Sequence, residues 1–205
     1  TGHGTITLKD ALSASCNVTF YEVGKILNGI APDTLSTYGR AFGFGAKTGL
    51  QEFSDAPGLI PDPEWKQATY REGLGTGDTV NLAIGQGYLL VTPLQVARMM
   101  AAVANGGTLY RPYVVERVVD STGSAEPINQ PLATGRLPIS QANLQTIQEA
   151  LYGVTTASVG TATHRFRGLN IPVAGKTGTA EQEDKDALPH SWFAGYFPAD
   201  DPQIA

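Results

Sequence analysis

Cysteine, histidine and positive charge are all scarce in this 205-residue chain, and each scarcity removes a class of function. The one cysteine, Cys16, excludes an internal disulfide framework and a thiolate metal cage. The three histidines, His3, His164 and His190, are scattered and form no i, i+4 ligand pair, so neither a metal site nor a cofactor is expected. Charged residues make up 16% with a formal net charge of −5, and no Lys/Arg cluster offers nucleic acid a basic face. No apolar run approaches the roughly 18 residues that span a bilayer, and no signal peptide opens the chain. The first residues, "TGHGTITL", read as mid-domain sequence, so these absences bear on the segment and not on a parent protein.

What is present suits one α+β domain over residues 1–205. Hydrophobic residues make up 41%, enough for a core, and 24 glycines with 13 prolines imply many turns. Thr7 predicts the cap of a short helix over 7–14, and Asn17 that of a second, with Phe20, Val23 and Leu27 on its apolar face and Asn28-Gly29 as its stop. Pro32 suits the first turn of a third helix that ends at Gly43. Residues 43–90 read as loops around short helical turns, with Gly85-Gln86-Gly87 a tight turn. Thr92, Pro93 and Gln95 predict a capping box at the head of a helix through "QVARMMAAVA". Residues 108–120 read as extended chain turning at Ser121-Thr122-Gly123, and a long helix begins near Ser140. The helical region thus covers about 5–160. Two strands, "IPVAGKTGTAE" and "HSWFAGYFPA", fall within about 171–205, joined by an acidic loop holding Glu181, Glu183, Asp184 and Asp186. Trp192 and Phe193 are expected in the core, and Cys16 as a small packed thiol with no histidine near it in sequence.

The stretch "AGKTGTAE" (174–181) carries the chemistry, and three readings compete for it. A phosphate loop needs G-x-x-x-x-G-K-[ST], yet the residue five before Gly175 is Asn170, Pro172 interrupts and strand-like residues follow. A plain turn with an exposed Lys176 is the bland reading, as helix capping is for Ser15 and Asn17. The third is a strand edge cleared for a ligand.

Ser15-Cys16-Asn17 far upstream supplies a partner motif: S-x-N with K-T-G resembles the serine acyl-transferases that react with penicillins. "GHGTITLKDALSASCNVTFYEVG", "LAIGQGYLLVTPLQVARMMAAVANGG" and "HSWFAGYFPADDPQIA" resemble, in this order, the transpeptidase domain of class B penicillin-binding proteins. "FYEVG" and "FGFGAKTGL" are most similar to the elongation-type members. The resemblance implies a partial transpeptidase fold, a helical subdomain plus an antiparallel pair of the central sheet. It implies peptidoglycan stem peptides ending in D-Ala-D-Ala as substrate, penicillin and other β-lactams as ligands, and cell-wall elongation proteins as partners. The parent would be membrane-anchored by an N-terminal segment and act at the outer face of the cytoplasmic membrane.

By the same resemblance Ser15 relays a proton, Asn17 donates to the substrate's peptide carbonyl, and Lys176 supplies positive charge. Thr177 and Thr179 bind the substrate carboxylate, Gly178 leaves room along the strand, and the Thr179 N–H is an oxyanion donor. No serine in the chain has lysine three residues on, so the family's nucleophile motif S-x-x-K is expected before Thr1, and the chain alone is expected not to acylate. No serine sits in G-x-S-x-G either. The chain would then be cut at both ends. A β-lactamase or β-lactam sensor shares the motif trio, and a non-catalytic scaffold of cell-wall synthesis is the alternative of another class.

Overall fold

The computed structural model describes residues 3–181 and 188–205, and side-chain caps set several of its helix starts. Thr7 accepts from the Asp10 N–H and opens α1 (Leu8–Ser13). Asp62 and Ser140 cap α4 (Pro63–Tyr70) and α7 (Gln141–Thr156) in the same way. At α6 (Pro93–Ala104) the capping box is complete: Gln95 N–H donates to Thr92 Oγ1 at 3.1 Å and Thr92 N–H to Gln95 Oε1 at 2.9 Å. The Gln95 carboxamide does more than cap. It also donates to the carbonyls of Ala46 and Pro57, at 2.8 and 2.9 Å, and so ties the preceding loop to α6.

Several expected boundaries move. Helix α2 (Asn17–Ile30) takes Cys16 as N-cap with no side-chain cap bond, so Asn17 is its first residue and not its cap. It runs past Asn28-Gly29 because Gly29 stays helical, and Ala31 N–H still reaches Leu27 O at 3.0 Å. Pro32 lies outside α3 (Thr34–Ala41): the chain makes one more turn, with Thr34 N–H on Ala31 O at 3.1 Å, before the helix starts. The stretch expected to be mostly loop contains α5 (Thr76–Leu82) besides α4.

The helical region also contains strands. β1 (Thr108–Tyr110) pairs with β4 (Ala133–Arg136), and β2 (Arg117–Val119) with β3 (Ala125–Pro127), both antiparallel. The expected turn between β2 and β3 forms where the Asp120 carboxylate accepts from the N–H groups of Thr122 and Ser124. After the four-residue α8 (Thr163–Phe166), β5 (Ala174–Ala180) and β6 (His190–Tyr196) pair antiparallel in register from Ala174↔Tyr196 to Ala180↔His190. Of the acidic loop, Glu181 is exposed, whereas Glu183, Asp184 and Asp186 lie outside the described residues.

One core holds these pieces together: Met100 and Val103 of α6, Leu144 and Leu151 of α7, Leu109, Leu137, and Ala174 and Tyr196 of the β5–β6 pair. Strand alternation decides what happens to the two aromatics expected there. Trp192 shares the Tyr196 face and is half-buried, but Phe193 points the other way and is 43% exposed, its ring lying over Gly175 and beside the Phe166 ring at 5.0 Å.

Helix α1 lies directly on α7. The Ser13 hydroxyl donates to Ala150 O at 2.8 Å, and Gly153 makes the approach possible, since a Cβ there would stand 2.5 Å from Ser13 Oγ. Gly153→Ala in the full-length protein is therefore expected to cost about 1–3 kcal/mol in urea denaturation through overpacking. Gly29→Ala, which meets nothing within 4 Å, is expected to stabilise α2 by roughly 0.5–1 kcal/mol. A neutral Gly153→Ala would refute this account of the α1–α7 contact.

Candidate active site

Helix α1 ends in a tight backbone turn that delivers Ser15. The Cys16 N–H reaches Ala11 O at 2.9 Å and the Ser15 N–H reaches Leu12 O at 3.2 Å, a Schellman pair with Ser15 in the left-handed position, φ +53°. Glycine is the usual occupant there, because an L side chain is strained by roughly 1 kcal/mol or more. The hydroxyl is held at that cost. It does not cap a helix: its oxygen accepts a hydrogen bond from Lys176 Nζ at 2.8 Å, across 161 residues of sequence.

Lys176 also donates to Thr177 O at 2.9 Å. It is half-buried, and desolvation holds its pKa below the ordinary lysine value. Its register on β5 is set by the pairing with β6, where Lys176 lies opposite Ala194. A Cβ on Gly175 would fall 2.5 Å from Phe193 Cζ, and one on Gly178 would fall 3.3 Å from Trp192 Cβ, so both glycines make room for the partner strand.

Ser15, Asn17, Lys176, Thr177, Gly178 and Thr179 all line one groove of about 520 Å³. Asn17, at the first turn of α2, is exposed on its rim. The bend between α1 and α2 thus faces the edge of β5 that, among the described residues, pairs with no strand. Two further residues, outside the six candidates, contribute. Gln86, from the Gly85-Gln86-Gly87 turn, donates its carboxamide N–H to Thr179 O at 3.1 Å. Thr161 brings its hydroxyl to 2.6 Å from that of Thr177. The sequence marks Gly85-Gln86-Gly87 as a tight turn, and both glycines are left-handed, φ +76° and +79°, which lets the turn present the side chain between them. Thr161 has no such mark. The Gln86 bond also orients the edge: the Thr179 carbonyl faces the groove, and in an antiparallel strand the N–H of the same residue faces the same side.

Cys16 departs from expectation. It is half-exposed, and His3 lies beside it in space. Hydrogen bonds from Thr19, side chain first and then backbone, with a smaller one from His3, draw the thiol down to about 7.

A groove that sets an ammonium, a relayed hydroxyl and an open strand edge side by side can hold an extended peptide by its carboxylate and move a proton beside it. Comparison with known proteins identifies the family. The family model described as the penicillin-binding protein transpeptidase domain matches residues 1–205. The chain belongs to the transpeptidase family of class B penicillin-binding proteins. It is 34% identical to the peptidoglycan D,D-transpeptidase MrdA of Haemophilus influenzae, over all of this chain and 33% of the relative. Among solved structures, penicillin-binding protein PBP2 of Helicobacter pylori in complex with MreC superposes with a TM-score of 0.84 at 33% identity, over 98% of this chain and 35% of that one. Pseudomonas aeruginosa PBP2 in complex with WCK 5153 gives 0.83 at 32% identity, over 97% and 43%. The transpeptidase segment spans about a third of the curated relatives it matches, and elongation-type proteins lead them.

The strain at Ser15 separates stability from chemistry. Both Ser15→Gly and Ser15→Ala lose the lysine's acceptor, but only glycine relaxes φ +53°. In urea denaturation of the full-length protein, Ser15→Gly is expected to be about 1 kcal/mol more stable than Ser15→Ala. If the groove serves acylation by penicillin, that rate should fall in both by about 10²-fold. Equal stabilities would show that the bend is unstrained.

Proposed function

We propose that this chain is part of a serine D,D-transpeptidase that cross-links peptidoglycan stem peptides. The whole protein takes a stem peptide ending in D-Ala-D-Ala and works at the outer face of the cytoplasmic membrane, held by an anchor. Among the described residues no helix is long and apolar enough to cross a membrane. Elongation proteins are its partners, a reading supported by the Helicobacter pylori relative solved with MreC.

The observation that carries the reading is the 2.8 Å bond from Lys176 to Ser15 at the floor of a groove along β5. Because Lys176 donates, the Ser15 proton is free to point at a third group, the nitrogen of the departing D-alanine. A nucleophilic serine from an S-x-x-K motif preceding Thr1 attacks the penultimate D-alanine carbonyl. The peptide C–N bond breaks, the leaving amine takes a proton through Ser15, and an acyl ester remains. The amine of a neighbouring strand then displaces the serine, which recovers its proton.

Asn17 donates its carboxamide to a peptide carbonyl of the bound strand. Thr177, Thr179 and the Lys176 charge hold the terminal carboxylate, with the ligand laid beside Gly178 as an added strand. The Thr179 N–H, turned to the groove, is one oxyanion donor, and removing one such donor costs roughly 3–4 kcal/mol of transition-state stabilisation. Lacking the S-x-x-K serine, the 205-residue chain alone does not acylate.

Intact-mass spectrometry after exposure to benzylpenicillin tests this. The full-length protein is expected to gain one persistent adduct, on a serine outside residues 1–205, and the isolated chain none. An adduct on Ser15 would contradict the assigned roles. Rapid loss of the adduct would favour a β-lactamase, and its complete absence from the full-length protein a scaffold.

A further inference from the structure

The loop between α7 and α8 has no part in the reading above, yet it sets one hydroxyl against the carboxylate site. It is pinned to the end of α7 by Gly160 N–H on Ala157 O at 2.9 Å, Ala162 N–H on Val154 O at 2.9 Å and Thr163 Oγ1 on Ala157 O at 2.6 Å. Gly160 allows this tight return, because a Cβ there would strike the Gly153 carbonyl. Helix α7 is in turn tied to the chain entering β5, where Thr155 donates to Val173 O at 2.5 Å. Thr161 is therefore fixed relative to β5 by backbone and by hydroxyl ties on both sides. Its Oγ1 stands 2.6 Å from Thr177 Oγ1, and both residues line the groove.

Each hydroxyl carries one proton, so the pair has two arrangements. If Thr177 donates to Thr161, its proton is turned away from the groove. If Thr161 donates, the Thr177 proton is free. An anion in the groove selects the second arrangement, because a hydrogen bond to a carboxylate is about twice as strong as one between neutral hydroxyls. Accepting from Thr161 also polarises the Thr177 O–H and strengthens it as a donor.

We propose that Thr161 is a positioning residue for carboxylate recognition: its hydroxyl donates to Thr177 Oγ1, so that Thr177 presents its own proton to the ligand's carboxylate. This rests on the reading of Thr177 as a carboxylate donor. Thr161 itself touches no reacting atom. Its effect is specific to ligands that carry the negative charge.

The test compares second-order acylation of the full-length protein by benzylpenicillin and by its methyl ester, which keeps the ring and lacks the charge. Thr161→Val, which preserves shape, is expected to slow acylation by the acid about tenfold, mostly through weaker binding, and to leave the ester within about twofold. Thr161→Ser is expected to restore the acid rate. Because the acid-to-ester ratio is taken on one preparation, partial misfolding cancels from it. An unchanged ratio in Thr161→Val, with Thr177→Val lowering it, overturns the role of Thr161 and leaves that of Thr177 standing. An unchanged ratio in Thr177→Val overturns both. Failure of Thr161→Ser to recover the ratio also overturns the proposal, since a hydroxyl at that position is all it requires.

Discussion

A half-buried ammonium donating to a hydroxyl from the far end of the chain is the constraint around which the rest is arranged. The lysine gives up hydration to reach Ser15, and desolvation lowers its pKa accordingly. Such a contact survives only if neither partner can drift, so each is anchored in packed structure. Ser15 hangs from α1, and α1 is sealed to α7 through Ser13 and Gly153. Lys176 rides on β5, whose first residue, Ala174, is fully buried against the same core. Helix α7 touches both sides and serves as the ruler between them.

The same economy governs the glycines and the strained serine. Gly153, Gly175 and Gly178 spare space for neighbouring protein atoms, while the α1–α2 bend carries serine where glycine would be more comfortable. A residue kept in an unfavourable conformation beside a groove marks a place where the side chain matters more than the backbone cost. Across the groove the Gln86 carboxamide rests on the Thr179 carbonyl, a contact like the one a peptide N–H makes when it joins a sheet edge.

Local chemistry explains what could be read in advance. The box at Thr92 and Gln95, the caps at Thr7 and Ser140, and the β5–β6 pairing are written in short-range patterns of hydroxyls, amides and alternation. Six candidate residues that the structure gathers in one groove were legible because two short motifs coincided with longer stretches of family likeness. Thr161 was not, and Gln86 only as the middle of a tight turn, since each reaches the groove through a placement of its loop that no local pattern encodes. Phe193 is exposed against expectation for a related reason: alternation says that two neighbours face opposite ways, but only the packed structure says which face is covered. Cys16 gained its histidine neighbour from the fold of residues before α1, again a non-local event.

If the Lys176–Ser15 contact is a working unit and not two independent surface groups, its members must fail together. A double-mutant cycle on penicillin acylation of the full-length protein, with Ser15→Ala, Lys176→Met and the pair, measures this directly. The account predicts that the double variant is no slower than the worse single one, a coupling close to the full effect of the milder substitution. Losses that multiply, each substitution costing the same whether or not the other is present, would contradict it.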